Sequence, residues 1–253
     1  MTEILQATLI PFIGTAAGSA CVFFMRGGLN ETVRRVLSAF AAGIMTAASV
    51  WSLIIPALAR SSEMGRLAFV PVTAGFLTGI AGLIGIDRLI VFLRSKGERR
   101  DKKASMLVLA VVIHNIPEGM AAGAVYAALL AGAADITISS ALALVIGISI
   151  QNFPEGAIIS LPLRSKGETK TNAFMQGIMS AFAEAAGALV TIAAAGLVVP
   201  VLPFLLSFAA GAMIYVVVKE LIPEISDGKF HDLCIVIFAL GFSVMMALDT
   251  ALG

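Results

Sequence analysis

Apolar residues run along this chain in long blocks, not with the short period of an amphipathic helix or strand. A helix needs about 20 apolar residues to cross a hydrocarbon core. Eight blocks qualify: 4–25, 34–59, 67–93, 105–131, 138–163, 172–197, 200–222 and 231–252. Short polar or charged stretches separate most of them. Residues 172–222 have almost no polar break and are too long for one span. That block is divided at Pro200 and Pro203, because proline ends helices. The pattern predicts an all-α integral membrane protein with eight transmembrane helices and no separate soluble domain.

Composition agrees. Of 253 residues, 59% are hydrophobic and only 13% charged, and the mean hydropathy is +0.99. That much apolar surface cannot be hidden in one water-soluble core, so the chain meets the lipid bilayer. A net charge of +1, with no basic stripe carrying interleaved aromatics, points to no nucleic-acid partner. Cys21 and Cys234 lie far apart in apolar segments and read as packing residues. Glu3 is present and no Lys or Arg precedes Arg26. The first block is therefore expected to stay as a membrane helix, not to be cleaved as a signal.

Loop charge orients the spans. On one side, Arg26, Arg34 and Arg35, the six basic residues from Arg94 to Lys103, Arg164, Lys166 and Lys170, and Lys219 and Lys229 make fourteen. The other side has only Arg60 and Arg66. The basic side is expected to be cytoplasmic, with both termini extracytoplasmic. Arg88 lies near the cytoplasmic end of the third span, where its long stem can snorkel.

One internal repeat carries chemistry. The fourth span holds His114-Asn115-Ile116-Pro117-Glu118-Gly119, and the fifth holds Gln151-Asn152-Phe153-Pro154-Glu155-Gly156. Both copies fall near mid-span, and consecutive spans run antiparallel. Equivalent positions can thus face each other at the bilayer midplane, an inverted repeat of helices 4 and 5 at the core. Positions i, i+3 and i+4 share a helix face, so His114 and Asn115 lie beside Glu118, and Gln151 and Asn152 beside Glu155. Pro117 and Pro154 each free a carbonyl one turn back. Gly119 and Gly156 permit close helix approach. Glu184 lies mid-span in the sixth helix among small neighbours and joins the candidate set.

A carboxylate at the bilayer centre costs about 2.5–3.5 kcal/mol. Facing carboxylates also repel unless a cation or proton lies between them. A divalent cation removes both penalties. One imidazole, several carboxylates and amide oxygens suit Zn²⁺, and also Fe²⁺, Mn²⁺, Co²⁺ or Cd²⁺. The bland alternative is a protonated glutamate pair that joins helices.

With these motifs the whole chain resembles the ZIP (ZRT/IRT-like) family of divalent metal transporters, most of all its bacterial GufA-type branch. Further matching segments are Ala41-Ala42-Gly43-Ile44-Met45 running on to Trp51-Ser52-Leu53-Ile54-Ile55-Pro56, and Lys219-Glu220-Leu221-Ile222-Pro223-Glu224. The resemblance implies one ZIP-type transmembrane domain over 1–253 and a two-metal site. His114, Glu118, Gln151 and Glu155 match the ligands of one metal. Asn115, Glu118, Asn152, Glu155 and Glu184 match those of the other, with both motif glutamates bridging. It also implies a homodimer in a bacterial cytoplasmic (inner) membrane, where helices 1, 4, 5 and 6 slide like an elevator against a dimeric scaffold and metal moves toward the cytoplasm. The metal is cargo, and neither a cofactor nor an enzymatic activity is expected.

Possible pathway residues are Met45, which is also a plausible packing residue, and Asp249, which is also a plausible solvated helix end. Asp87, Glu220, Glu224 and His231 read either as an exit relay or as an interfacial salt-bridge group. Two rivals remain. A metal-selective channel differs from a carrier only in kinetics. An intramembrane zinc hydrolase would need a motif such as His-Glu-x-x-His, and the two histidines here, 114 and 231, do not supply it. The orientation has a direct check. In a cysteine-free variant, a cysteine placed within 96–102 is expected to react only with reagents that reach the cytoplasm. Labelling from outside intact cells would reverse the topology.

Overall fold

The computed structural model describes residues 1–24, 30–95, 103–133, 136–226 and 231–252; the side chains of Ile90, 93–95 and 103–114 also lie outside the description. The described chain is almost wholly helical: α1 (Thr2–Phe24), α2 (Glu31–Arg60), α3 (Phe69–Ser95), α4 (Lys103–Leu130), α5 (Ile138–Ser165), α6 (Lys170–Ala193), α7 (Ala195–Ser226) and α8 (His231–Leu252). Among the described residues, seven stretches are long and apolar enough to cross a membrane, one in each helix except α4. α4 is helical over 28 residues.

Local chemistry explains several boundaries. Asn30 caps α2 by accepting from the Thr32 amide, and Thr137 and Ser140 close a capping box at the start of α5. The break before α7 comes at Ala194, earlier than the Pro200–Pro203 expectation. Both prolines instead occupy first turns of helical segments, Val199–Val201 and Leu202–Val216, where a missing N–H leaves no bond unmade. Pro117 and Pro154 do not interrupt their helices either; α4 and α5 run through them.

The irregular backbone lies elsewhere. α2 widens into a π-helical stretch at Ser49–Ile54, and α7 does so at Val217–Leu221. Each ends two residues before a proline, Pro56 or Pro223. Proline removes one helical donor and crowds the carbonyl four residues back. The widened turn answers that crowding: the Ile55 amide reaches Val50 O, and the Ile222 amide reaches Val217 O.

Glycines set the packing. A Cβ added at Gly14, Gly18 or Gly156 would lie 2.1, 1.9 or 2.2 Å from a carbonyl oxygen across the α1–α5 contact. One at Gly119 would lie 2.0 Å from Glu184 O across α4–α6. The same holds for Gly43 and Gly241 between α2 and α8, and for Gly75, Gly79 and Gly211 between α3 and α7. In lipid, helices associate through such close approach, because no hydrophobic drive brings them together. Among the described residues these backbone contacts join four pairs, α1–α5, α4–α6, α2–α8 and α3–α7. Between α5 and α8, Gly147 instead faces the flexible side chain of Met245.

The α2–α8 and α7–α3 pairs are copies. Phe40-Ala41-Ala42-Gly43-Ile44-Met45 in α2 matches Phe208-Ala209-Ala210-Gly211-Ala212-Met213 in α7. Phe76, Gly79 and Asp87 of α3 share the spacing of Phe238, Gly241 and Asp249 of α8. The contacts match as well. Gly43 faces Phe238 O, Gly211 faces Phe76 O, Gly241 faces Phe40 O and Gly79 faces Phe208 O, each so closely that an added Cβ would lie 2.1, 2.1, 2.3 and 2.1 Å from the oxygen.

The close approaches predict a stability contrast. Gly119→Val forces α4 from α6 and is expected to cost at least about 1–3 kcal/mol, as overpacking does. Gly85→Ala, which meets nothing within 4 Å, is expected to gain up to about 1 kcal/mol of helix propensity. Thermal melting of the two purified variants checks this, and equal melting temperatures would refute it.

Candidate metal centre

The sequence repeat becomes a spatial one. α4 and α5 bring their two motifs together, and α6 adds Glu184. Asn115, Glu118, Gln151, Asn152 and Glu184 are all buried; Glu155 is half-buried. The Gln151 amide donates from Nε2 to Glu118 Oε1 at 2.7 Å. Asn152 Nδ2 donates to Glu184 Oε2 at 2.7 Å, and to Pro11 O of α1 at 3.4 Å. Glu118 is within electrostatic reach of both Glu155 and Glu184, and Glu155 within reach of Glu220. The backbone of His114 lies in α4 one turn before Glu118; its side chain lies outside the described residues.

Each amide satisfies only half of what surrounds it. Asn115 Oδ1, Glu118 Oε2, Gln151 Oε1, Asn152 Oδ1 and Glu184 Oε1 are buried without a protein partner. An unsatisfied buried polar atom costs about 1–3 kcal/mol, and more when charged. Oxygens from three helices therefore have unmet demand for positive charge in one small region. That donor set fits a divalent cation of borderline hardness. Among the described residues no three His, Cys, Asp or Glu side chains already form a metal cage. Glu118 and Glu184 are instead each bonded by an amide, and three of the candidate donors, Asn115, Gln151 and Asn152, are themselves amides.

A cavity of about 570 Å³ reaches this region from one end of the bundle. It runs from Asn115, Glu118 and Glu155 past Glu220 to Arg34, Lys166 and Glu224. At its mouth Arg34 Nε pairs with Glu224 Oε1 at 2.9 Å, and Ser38 Oγ donates to Glu224 Oε2 at 2.6 Å. A separate cavity of about 340 Å³ lies at the opposite end, lined by Trp51, Ser52, Val125, Leu144 and Asp249 among others. Among the described residues the two share no lining residue.

The pathway candidates separate. Glu220 and Glu224 line the larger cavity and Asp249 the smaller. Asp249 accepts from Ser52 Oγ at 2.8 and 2.9 Å to its two oxygens. Asp87 faces a third cavity, where Lys219 and Tyr215 donate to it. Met45 is buried in the apolar core, as is Met213 at the matching place in α7. His231 is exposed at the start of α8 and makes no hydrogen bond or ion pair among the described residues. The partners Ser52 and Lys219 were not singled out by the sequence reading. Both stand four residues before the π-segment proline, a signal visible only once α2 and α7 are aligned.

Comparison with known proteins points the same way. Residues 93–249, more than half of the chain, match the family described as ZIP Zinc transporter. Zinc transporter ZIP11 of Xenopus tropicalis is 33% identical over 98% of this chain and 97% of its own length. Zinc transporter ZIPB of Bordetella bronchiseptica is 33% identical over 96% of this chain and 79% of its own. Zinc transporter GufA of Myxococcus xanthus is 32% identical, covering 80% and 81%.

The hydrogen bonds across the centre predict an order of stability effects. Glu184→Gln keeps the size of the side chain and an acceptor for Asn152 while removing a buried carboxyl whose ionised form nothing fully offsets. Without added metal, Glu184→Gln is expected to melt higher than the wild type. With saturating Zn²⁺ the order reverses, since the variant loses a ligand for a stabilising cation. Melting curves with and without Zn²⁺ check both signs.

Proposed function

The chain belongs to the ZIP family of zinc transporters, and from that membership we propose that it carries divalent metal cations, Zn²⁺ foremost, across a membrane toward the cytoplasm through the midplane centre of α4, α5 and α6. Cd²⁺, Fe²⁺, Mn²⁺ and Co²⁺ are further candidate cargoes, and no chemical reaction is catalysed. The observation that carries this reading is the set of unpartnered buried oxygens on Asn115, Glu118, Gln151, Asn152 and Glu184, with Asn115 and Glu118 lining the inner end of the larger cavity.

In this reading His114, Glu118, Gln151 and Glu155 hold one metal ion. Asn115, Glu118, Asn152, Glu155 and Glu184 hold a second, and the motif glutamates bridge the two. The carboxylates supply charge, the amides supply neutral oxygens that let go, and the imidazole supplies the nitrogen that favours Zn²⁺. The chain has eight spans with both termini outside, in the inner membrane of a bacterium, and works as a homodimer.

The movement is an elevator. α1, α4, α5 and α6 carry the site, and α2, α3, α7 and α8 form the scaffold. Two features support it. Backbone-to-backbone glycine contacts among the described residues fasten the pairs α1–α5, α4–α6, α2–α8 and α3–α7, and none of these pairs straddles the two groups, which is compatible with sliding at their boundary. Among the described residues the cavities at the two ends share no lining residue, which favours a carrier open to one side at a time over a channel. Because loop charge places Arg34, Lys166 and Glu224 at the cytoplasmic end, this conformation is the one open to the cytoplasm.

Radiolabelled Zn²⁺ uptake into proteoliposomes tests the reading. Glu118→Ala or Glu155→Ala is expected to nearly abolish uptake in protein that still inserts, because charge-assisted contacts are roughly twice as strong as neutral ones. Gln151→Ala and Asn152→Ala are expected to reduce it only partly. His114→Ala falls between and shifts preference away from Zn²⁺. Metal displaces protons from its ligands, so Zn²⁺ affinity is expected to weaken as pH falls. Near-normal uptake in both glutamate variants would overturn the site.

A further inference from the structure

The glycine contacts relate not only α4 to α5 but also α1 to α6. A Cβ added at Gly156 of α5 would lie 2.2 Å from Thr15 O of α1, and one at Gly119 of α4 would lie 2.0 Å from Glu184 O of α6. A Cβ at Gly18 of α1 would lie 1.9 Å from Phe153 O, and one at Gly187 of α6 would lie 2.9 Å from Ile116 O. Gly119 and Gly156 are equivalent in the two motifs, as are Ile116 and Phe153. Their partners are then equivalent too: Thr15-Ala16-Ala17-Gly18 is the counterpart of Glu184-Ala185-Ala186-Gly187.

The candidate carboxylate on α6 therefore has a hydroxyl twin on α1. Thr15 is fully buried, and its Oγ1 has no protein partner. That is unusual for a threonine in a membrane helix, where the hydroxyl normally bonds a carbonyl one turn back; Thr8, Thr46, Thr78, Thr191 and Thr250 all do so here. The carbonyl one turn before Thr15 belongs to Pro11, which accepts from Asn152 instead. The symmetry also supplies a neighbour. Asn152 bonds Glu184, and by the symmetry of the repeat Asn115 is the counterpart of Asn152 as Thr15 is of Glu184. Asn115 has neither Oδ1 nor Nδ2 bonded to protein. Two buried polar side chains at matching places in the repeat thus both lack partners, and Asn115 stands one turn before Glu118.

We propose that Thr15 is a further cargo-binding residue of the midplane centre, its hydroxyl supplying a neutral oxygen to the cation on the Asn115 side where the α6 side supplies the carboxylate of Glu184. This deepens the transport reading and rests on the same centre. The replacement of a carboxylate by a hydroxyl makes the two halves unequal. A cation on the Asn152–Glu184 side meets a full charge, and one on the Asn115–Thr15 side meets only dipoles. The weaker side is the one from which an ion leaves more readily.

The test uses the purified full chain in detergent, with Zn²⁺ affinity by calorimetry and Co²⁺ as a spectroscopic probe. Thr15→Val keeps shape and removes the hydroxyl; Thr15→Ser keeps the hydroxyl. Thr15→Val is expected to weaken Zn²⁺ binding about three- to tenfold, the size of one neutral polar contact, and to alter the ligand-field absorption of bound Co²⁺. Thr15→Ser is expected to match the wild type in both. The combined Thr15→Val and Asn115→Ala variant is expected to lose less than the sum of its parts, since the two act on one ion. An unchanged affinity and Co²⁺ spectrum in Thr15→Val would overturn the assignment. So would an equal loss in Thr15→Ser, which would assign the effect to packing of the methyl group. A wild-type protein that binds Zn²⁺ but does not move it in vesicles would defeat the transport reading and leave this one standing.

Discussion

Three glutamates stand in helices that must also meet lipid, and charge in hydrocarbon is what the rest of the molecule has to accommodate. Each carboxylate at mid-depth costs about 2.5–3.5 kcal/mol before any repulsion between them. The protein meets that cost only in part. Gln151 and Asn152 give one amide donor each, to Glu118 and Glu184, and leave the second oxygen of each carboxylate bare. A centre satisfied by protein alone would hold a cation weakly, and a centre with no protein partners would not hold its shape. Half-satisfaction keeps the side chains placed while leaving demand for a passing ion.

The same constraint sets the packing around the centre. Side chains that must converge on one small volume need helices that approach closely, and glycine permits that. Gly119 and Gly156, one residue after each motif glutamate, bring α6 and α1 against α4 and α5 at carbonyl distance. Of the helices around the centre, α1 is thereby fastened to α5 and α4 to α6, backbone to backbone. α2 is fastened likewise to α8 and α3 to α7, through Gly43, Gly79, Gly211 and Gly241.

A protein made of inverted copies would present the same chemistry to both faces of the membrane. This chain breaks that equivalence at particular positions. Histidine in one motif stands against Gln151 in the other, and Thr15 against Glu184. At the periphery, Asp249 is bonded by the neutral Ser52, whereas its counterpart Asp87 is bonded by the cation Lys219. The fold is repeated, and the charges placed on it are not.

Much of this was legible in the sequence. Long apolar blocks reveal membrane helices because lipid cannot satisfy a bare backbone, and most boundaries read from those blocks lie within a few residues of the helices. The paired motifs of α4 and α5 were readable because four of six residues repeat at mid-span, as was the closeness enforced by Gly119 and Gly156. The α6–α7 break was misplaced at Pro200, since proline is harmless in the first turn of a helix and only the neighbouring geometry shows which turn that is. Pro117 and Pro154 each remove a helical donor yet leave α4 and α5 unbroken, while the widened turns before Pro56 and Pro223 gave no sequence sign beyond the prolines themselves. The kinship of Thr15 with Glu184, and of Ser52 with Lys219, was hidden because twins with different side chains share no letters. By itself the sequence determined which residues are apolar enough to span and which charges cannot be there without a partner. Only the tertiary structure decided which helices touch, because carbonyl-to-glycine contacts depend on positions in space that no local period records.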